Sequence, residues 1–277
     1  MLKIGYNPQY VSNDILSEFT AKLTSIPEAT ETEFIPFTVM NSFDTLREYL
    51  VNEQIDVAIY PISKVPIGGA EELSTAALLS RPRPQIQINY HKGKNPVNHL
   101  VELDGGDSVL CPDSNIRAQC SNLLQGIVFM VPEEEPNHDQ LSGTINYPLG
   151  QKEQNSSFDL FDSSFDFNPR ELIPPTGQNI LSVICRKSDT HIREQLVALN
   201  DQEVSRISNI ERRILKLLTE SGYTQVNAYA ETDINQNYHV FVCGFDAEGN
   251  FRTVKHSSNI STGIENEILK LLTENSL

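Results

Sequence analysis

The sequence predicts α/β layered structure followed by a smaller α+β lobe. Two observations carry this. Through the first part of the 277-residue chain, apolar strands alternate with helix-spaced segments, the pattern of a mostly parallel sheet covered by helices. From about residue 189 the order changes to a long helical run, strands joined by short polar turns, and a closing helix, which is the arrangement of helices packed on one face of a small antiparallel sheet.

The elements follow in order. "LKIGYN" is a short apolar strand, and "NDILSEFTAKLTSI" carries helical spacing at Ile15, Phe19, Leu23 and Ile26. "TEFIPFTV" is a strand. "SFDTLREYLVNEQ" is a helix with Ser42 as N-cap and Phe43, Leu46 and Leu50 as its stripe, since a serine hydroxyl can accept from a free N–H of the first turn. "IDVAIYPI" is apolar almost without a break, as in a strand buried on both faces. Pro82 and Pro84 mark a crossing into a second unit. There "SVLCPDSNIRAQCSNLL" reads as a strand, a turn and a helix starting near Ser114, and "GIVFMVPEEEPNHDQ" as a strand with an acidic break. "NSSFDLFDSSFDFNP" contains Ser-Ser-Phe-Asp twice, either a strand with an acidic surface loop or an acidic-aromatic docking motif. "IPPTGQNILSVICRKSD" returns as a turn and a strong strand. In the last part, "VSRISNIERRILKLL" places Ile207, Ile210, Ile214, Leu217 and Leu218 on one helical face, and "TGIENEILKLL" does the same with Ile264, Ile268 and Leu271. Between them lie "VNAYAETD", "YHVFVCGFD" and "NFRTVKH", three strands, with an Asp-Ala-Glu-Gly turn before the third. The expected domains are 1–87 plus about 176–188, a shortened second α/β domain at 88–175, and an α+β domain at 189–277.

Composition limits the function. A net charge of −16 repels phosphate backbones and anionic lipid, so neither nucleic acid nor a membrane surface is an expected partner. No run of apolar residues is long enough for a span and no signal peptide is evident, which points to a cytoplasmic protein. Cys111, Cys120, Cys185 and Cys243 are widely separated, without C-x-x-C or histidine at ligand spacing, so free buried thiols are expected and no metal. The sequence has no H-E-x-x-H, G-x-S-x-G or P-loop. A monomer is expected.

One short stretch poses the chemical question. "TESGYTQVNAYAE", residues 219 to 231, closes a helix and opens a strand, and no obvious base stands near Ser221, Tyr223 or Thr224. Taken with other blocks, it resembles the porphobilinogen deaminase (hydroxymethylbilane synthase) family. "EQIDVAIYPISKVP" is similar to that family's G-E-x-D-[IV]-A-V-H-S-x-K-D-V-P, "SNIRAQ" to S-S-L-R-R-x-Q, and "IPPTGQN" to L-P-A-x-G-Q-G. "VALNDQE" resembles L-N-[HD]-x-x-[ST], and "IERRILKLLTESGYTQVNAYAE" resembles A-E-R-x-F-L-x-x-L-x-G-G-C-x-x-P-[IV]-G-A-Y-A. The blocks occur in the family's order.

The resemblance implies two α/β domains of the type II periplasmic-binding-protein kind around a cleft, with a third α+β domain carrying a loop. In the family a cysteine on that loop holds a dipyrromethane cofactor by a thioether, and four porphobilinogen units are condensed on it with loss of ammonia. An aspartate contacts the pyrrole nitrogens and handles protons, while arginines and a lysine hold the acetate and propionate groups. Several of these positions differ here. Aligned on "AYA", the cofactor cysteine falls on Gly222, and the family's Lys-Asp dipeptide reads Ser63-Lys64. "NPQYVSN" replaces R-x-S-x-L-A, the Gly- and Lys-rich lid segment is missing, and L-R-G-N-x-x-T-R-L has no counterpart. Arg117 matches the first arginine of its pair but Ala118 replaces the second, and Arg81 and Pro84 match only part of R-x-D-P-R-D.

Three functions remain open at this point. The first is a deaminase-like scaffold without catalysis, acting as a binding or regulatory protein. It needs no cofactor, and its interdomain cleft could take a small molecule, with Ser63, Lys64, Arg81, Ser114 and Arg117 as lining candidates. For Ser114 a plain helix cap, and for Lys64 a solvated side chain, are the alternatives. The second is a divergent active deaminase with a non-covalent primer or another attachment residue such as Cys120 or Cys243. The third is a solute-binding protein sharing only the α/β clasp.

Overall fold

The structure is a computed structural model that describes residues 1–26, 31–37, 42–79, 82–84, 86–91, 108–111, 113–123, 127–130, 141–146 and 161–274. Its strands are β1 (Leu2–Tyr6), β2 (Thr32–Pro36), β3 (Val57–Pro61), β4 (Leu73–Leu78), β5 (Ile86–His91), β6 (Ser108–Leu110), β7 (Val128–Met130), β8 (Gly143–Asn146), β9 (Phe161–Phe167), β10 (Leu181–Arg186), β11 (Thr224–Thr232), β12 (Tyr238–Phe245) and β13 (Phe251–Ser258). The helices are α1 (Asn13–Thr24), α2 (Phe43–Val51), α3 (Ser114–Leu123), α4 (Thr190–Val197), α5 (Gln202–Glu220) and α6 (Ile264–Glu274). Among the described residues, 1–83 and 177–209 form one compact unit, and the remainder form a second.

The first unit is built on a sheet of order β2-β1-β3-β10-β4. β1 runs parallel to β2 and β3, whereas β10, arriving late in the chain, runs antiparallel to β3 and β4. Every residue of β3 is buried, which is why it reads as an unbroken apolar run: both faces of the sheet are covered. Successive side chains point to opposite faces, so Val57 and Ile59 join Phe19 and Leu23 of α1, while Ala58 and Tyr60 join Leu46 and Leu50 of α2. Ser12 and Ser42 cap α1 and α2, each hydroxyl accepting an N–H at 3.2 Å. Arg186 locks the far end of this layer. Its guanidinium donates to the carbonyls of Leu50 (2.7 Å) and Ile55 (2.8 Å) and pairs with Asp56 at 3.0 Å, closing the C-terminus of α2 onto the start of β3. The sequence boundary at 189 puts α4 in a third domain, but Leu196 and Leu199 belong instead to the core beside α1.

The second unit contains two sheets. The order β7-β6-β8-β5-β9 repeats the plan of the first unit: parallel pairs β6–β7 and β6–β8, then an antiparallel strand, β5, which here comes first in the unit rather than last. Ile88, Val109, Ile116 and Ile145 form its core. The other sheet is the antiparallel meander β11-β12-β13. Along β11 the residues from Val226 to Ala230 are all buried, and Tyr229 packs with Phe241, Cys243 and Ile173. The apolar stripe of α6 runs through Ile264, Ile268 and Leu272; the expected Leu271 is only half-buried, because the buried face here steps by four residues.

Both turns of the meander follow one local recipe. Asp233 and Asp246 each accept the N–H groups two and four residues on and the amide of the asparagine four residues on. The residue before that asparagine is left-handed, Gln236 at φ 63° and Gly249 at φ 81°. Six residues on, His239 and Arg252 reach back to the same carboxylates at 3.2 and 2.8 Å.

Candidate functional site

Gly222 sits where helix α5 ends. The helix terminates through two reverse bonds, Gly222 N–H to the Thr219 carbonyl at 3.1 Å and Tyr223 N–H to the Leu218 carbonyl at 3.0 Å. This closure requires a left-handed residue between them, and Gly222 supplies it at φ +89°. A Cβ built at this position meets nothing within 4 Å, so space does not explain the glycine; the backbone conformation does. Tyr223 is buried behind the turn. The position that matches the family's cofactor cysteine is thus the glycine cap of a helix.

The thiols lie elsewhere. Cys111, Cys120, Cys185 and Cys243 are all free and at most 1% exposed. Burial pushes the thiols of Cys111 and Cys243 up to about 12 and raises those of Cys120 and Cys185 as well. A thiol held neutral in this way is a poor nucleophile, since the thiolate is the reactive form. Cys120 lies on α3 and Cys243 on β12, both as packing residues.

Lys64, at the position of the family's aspartate, ends a single 3₁₀ turn (Ile62–Lys64) that follows β3. Its side chain is exposed, and its Nζ donates to the Tyr10 hydroxyl at 2.6 Å. The Tyr10 ring stands edge-on to Tyr60, 6.4 Å between centroids. Tyr60 occupies the histidine position of the family block and is 1% exposed. Burial, with Tyr10 as a smaller contribution, pushes its hydroxyl up to about 12. Among the described residues the constellation is therefore an ammonium and two phenol rings, with a carboxylate missing at the position that would hold a pyrrole N–H or a developing positive charge. Ser63 is exposed on the same turn. Behind it the chain passes through Gly177, at φ +77°, whose hypothetical Cβ would lie 2.8 Å from Ile62 Cγ2. Asn179 stands where the family block has its second glycine and keeps a left-handed backbone at φ 62°, a conformation asparagine tolerates better than most residues.

The other candidates lie in the second unit, at the start of α3. Ser114 is exposed there and is the first helical residue. The cap is Asp113, whose Oδ1 accepts the Ile116 N–H at 2.9 Å, which corrects the capping role considered for Ser114. Arg117 turns back to donate to the Cys111 carbonyl at 3.0 Å, so its guanidinium is partly engaged by the strand–helix junction. Arg81 lies outside the described residues, as does the first Ser-Ser-Phe-Asp copy; the second falls within β9.

Sequence reasoning missed a buried polar group that joins three segments of this unit. Asn227 is 1% exposed and replaces the glycine of the family's G-A-Y-A. Its amide donates to the Ile173 carbonyl at 3.1 Å and its oxygen accepts from Asn115 of α3 at 3.1 Å. Gln119 grips both sides of Ile173, at 2.8 and 2.9 Å, and the Thr176 hydroxyl accepts the Ala228 N–H at 3.0 Å. A further buried carboxylate, Glu211 of α5, accepts the Ala230 N–H at 2.8 Å. The signal was a change of residue type inside a matched block: a large amide where glycine is usual requires partners.

The fold defines a class. Two α/β sheets of the same order, each with parallel strands on one side and one antiparallel strand inserted beside them, make the type II periplasmic-binding-protein architecture, with an α+β meander added at the C-terminus. Among known proteins, the chain is similar to those named porphobilinogen deaminase: 25% identical over 223 residues to that of Alkaliphilus metalliredigens, covering 76% of this chain and 65% of the relative. Against the Staphylococcus carnosus protein the figures are 27%, 69% and 62%, and against the probable porphobilinogen deaminase of Archaeoglobus fulgidus 27%, 66% and 62%. The chain is thus similar to proteins of that name, and its matches span just under two thirds of each of these relatives. No family model matches it. Among solved structures, it is similar to the ligand-binding component of an ABC-type import system from Staphylococcus aureus, at 16% identity and TM-score 0.42 over 79% of this chain and 78% of that one. An arginine-specific periplasmic binding protein of Salmonella typhimurium gives 16% identity and TM-score 0.38 over 75% and 93%. Among the described residues no helix is long and apolar enough to cross a membrane, and no cluster of metal-ligating side chains occurs.

Proposed function

We propose that this chain is a deaminase-like scaffold that does not polymerise porphobilinogen and acts as a binding or regulatory protein. The observation that carries the reading is Gly222: the residue at the cofactor position has no atom to form a thioether, and its backbone serves as a helix cap. The four thiols are buried, so the residues present do not fit a covalently held dipyrromethane. Lys64, bonded to Tyr10, adds to this. It offers a positive charge where the family's chemistry uses a carboxylate, and a cation there opposes the cationic intermediates of pyrrole condensation. The type II architecture supports a small-molecule ligand, since such folds present concave, preformed sites.

The test is direct. Protein produced in cells that make porphobilinogen is weighed intact and then supplied with porphobilinogen. The expected result is the unmodified chain mass and no bilane product. A mass increase matching a dipyrromethane, or turnover above that of a boiled control, overturns the reading in favour of a divergent active enzyme.

A further inference from the structure

The first unit contains a cavity of about 120 Å³ that Tyr10, Pro61 and Asn179 of the compared blocks share with residues of α1 outside them. It lies between α1 and the ends of β3, β4 and β10, and Tyr10, Ile15, Phe19, Leu79, Ile180 and Leu181 supply most of its wall. Since β10 is antiparallel, its first residue, Leu181, stands beside the carboxyl ends of β3 and β4. In open α/β sheets ligands collect at that edge of the strands.

Size and charge define what could enter. Apolar cavities of roughly 150 Å³ admit a benzene ring, so a space of about 120 Å³ sets a single ring as the upper limit. The charged residues on its border are Glu18 and Lys22, one turn apart on α1, exposed and paired with each other at 2.8 Å. Among the described lining residues the two charges offset each other, Lys64 reaches only the outer edge of Tyr10, at its hydroxyl, and placing an ionised ligand against the apolar walls would cost its hydration. Two rings, those of Tyr10 and Phe19, supply edges and faces for an aromatic guest. Ile15 lines the cavity from the first turn of α1 and is half-buried, so substitutions there close or widen it.

We infer that the first unit binds a small uncharged single-ring aromatic molecule in this cavity. The inference rests on the geometry of the first unit alone and is independent of whether the chain retains deaminase chemistry.

Toluene titrated into the ¹⁵N-labelled full-length protein should give saturable amide shifts confined to the segments around Ile15, Leu79 and Leu181, with a Kd on the order of 0.1–1 mM. Ile15→Trp, which fills the cavity, should weaken binding at least tenfold. Ile15→Ala, which enlarges it, should keep toluene binding and add saturable binding of naphthalene, which the parent protein excludes. Circular dichroism of both variants monitors folding, and the alanine variant keeps the test alive if the tryptophan one fails to fold. Benzoate should bind more weakly than toluene. Non-saturable shifts, toluene binding unchanged by Ile15→Trp, an Ile15→Ala variant that behaves as the parent with both ligands, or tighter binding of benzoate would each overturn the inference.

Discussion

At φ +89° Gly222 holds a backbone conformation that costs a residue with a Cβ roughly 1–2 kcal/mol. Because the space around it is open, that strain is the whole effect of substitution. Gly222→Ala should therefore lower the stability of the chain by about 1 kcal/mol, read as a reduced urea midpoint at unchanged slope. Gly222→Cys should lose a similar amount and still make no bilane, because Lys64 remains at the acid position; product from that single variant would show that Lys64 does not block the chemistry. Glu211 gives the contrasting case of a side chain whose partner is backbone. It is fully buried and accepts the Ala230 N–H, so Glu211→Ala leaves a buried donor unpaired and should cost about 1–3 kcal/mol. In the family block this glutamate stands beside the arginine of A-E-R, and its position in the structure assigns it to holding α5 against β11.

The two turns of the C-terminal meander form the next scale. Asn237, through its side chain and then its backbone, with His239 and Asn235, holds Asp233 down to about 2. Burial pushes Asp246 up, yet the Asn250 N–H, Arg252 and the Asn250 amide together bring it down to about 2 as well. An aspartate near 3.9 in the unfolded chain and lower in the folded one stabilises the fold fully above the unfolded value and loses that contribution as pH falls toward the folded value. The urea midpoint should thus fall between about pH 4 and pH 2, and a double variant, Asp233→Asn with Asp246→Asn, should start lower at neutral pH and show a flatter acid limb. Equal acid limbs for the two proteins would remove the turns from the account. This recurrence of Asp, an Asn four residues on and a basic side chain six residues on was present in the sequence, but only the Asp-Ala-Glu-Gly turn was legible. Recognising the pair requires knowing that Gln236 is left-handed, which its residue type does not announce. By contrast, the Ser42 hydroxyl precedes a clear apolar stripe, and the burial of β3 is written in its unbroken apolar run. Ser114 misled because Asp113, one residue earlier, has the stronger acceptor for the same N–H groups.

At the scale of the whole molecule, order along the chain and order in the sheets explain different parts of the result. The layered α/β character follows from alternation of strand and helix patterns. The placement of the antiparallel strand does not, because β10 is an ordinary apolar segment whose position depends on pairing across more than a hundred residues, as in Cys185 beside Val57. The boundary at 189 failed for a related reason: α4 is amphipathic in either location, and only Leu196 and Leu199 in the first core decide it. The candidate site was legible as a set of substitutions and illegible as geometry. Gly222 and Lys64 stand out against the resemblance, whereas the Lys64–Tyr10 bond and the amide group around Asn227 involve partners 54 and 112 positions apart. All of these residues bear on one claim, that the scaffold carries no covalent pyrrole. Intact-mass spectrometry of protein from porphobilinogen-producing cells tests it most directly: the account predicts the mass of the bare 277-residue chain, and an added dipyrromethane on any residue would contradict it.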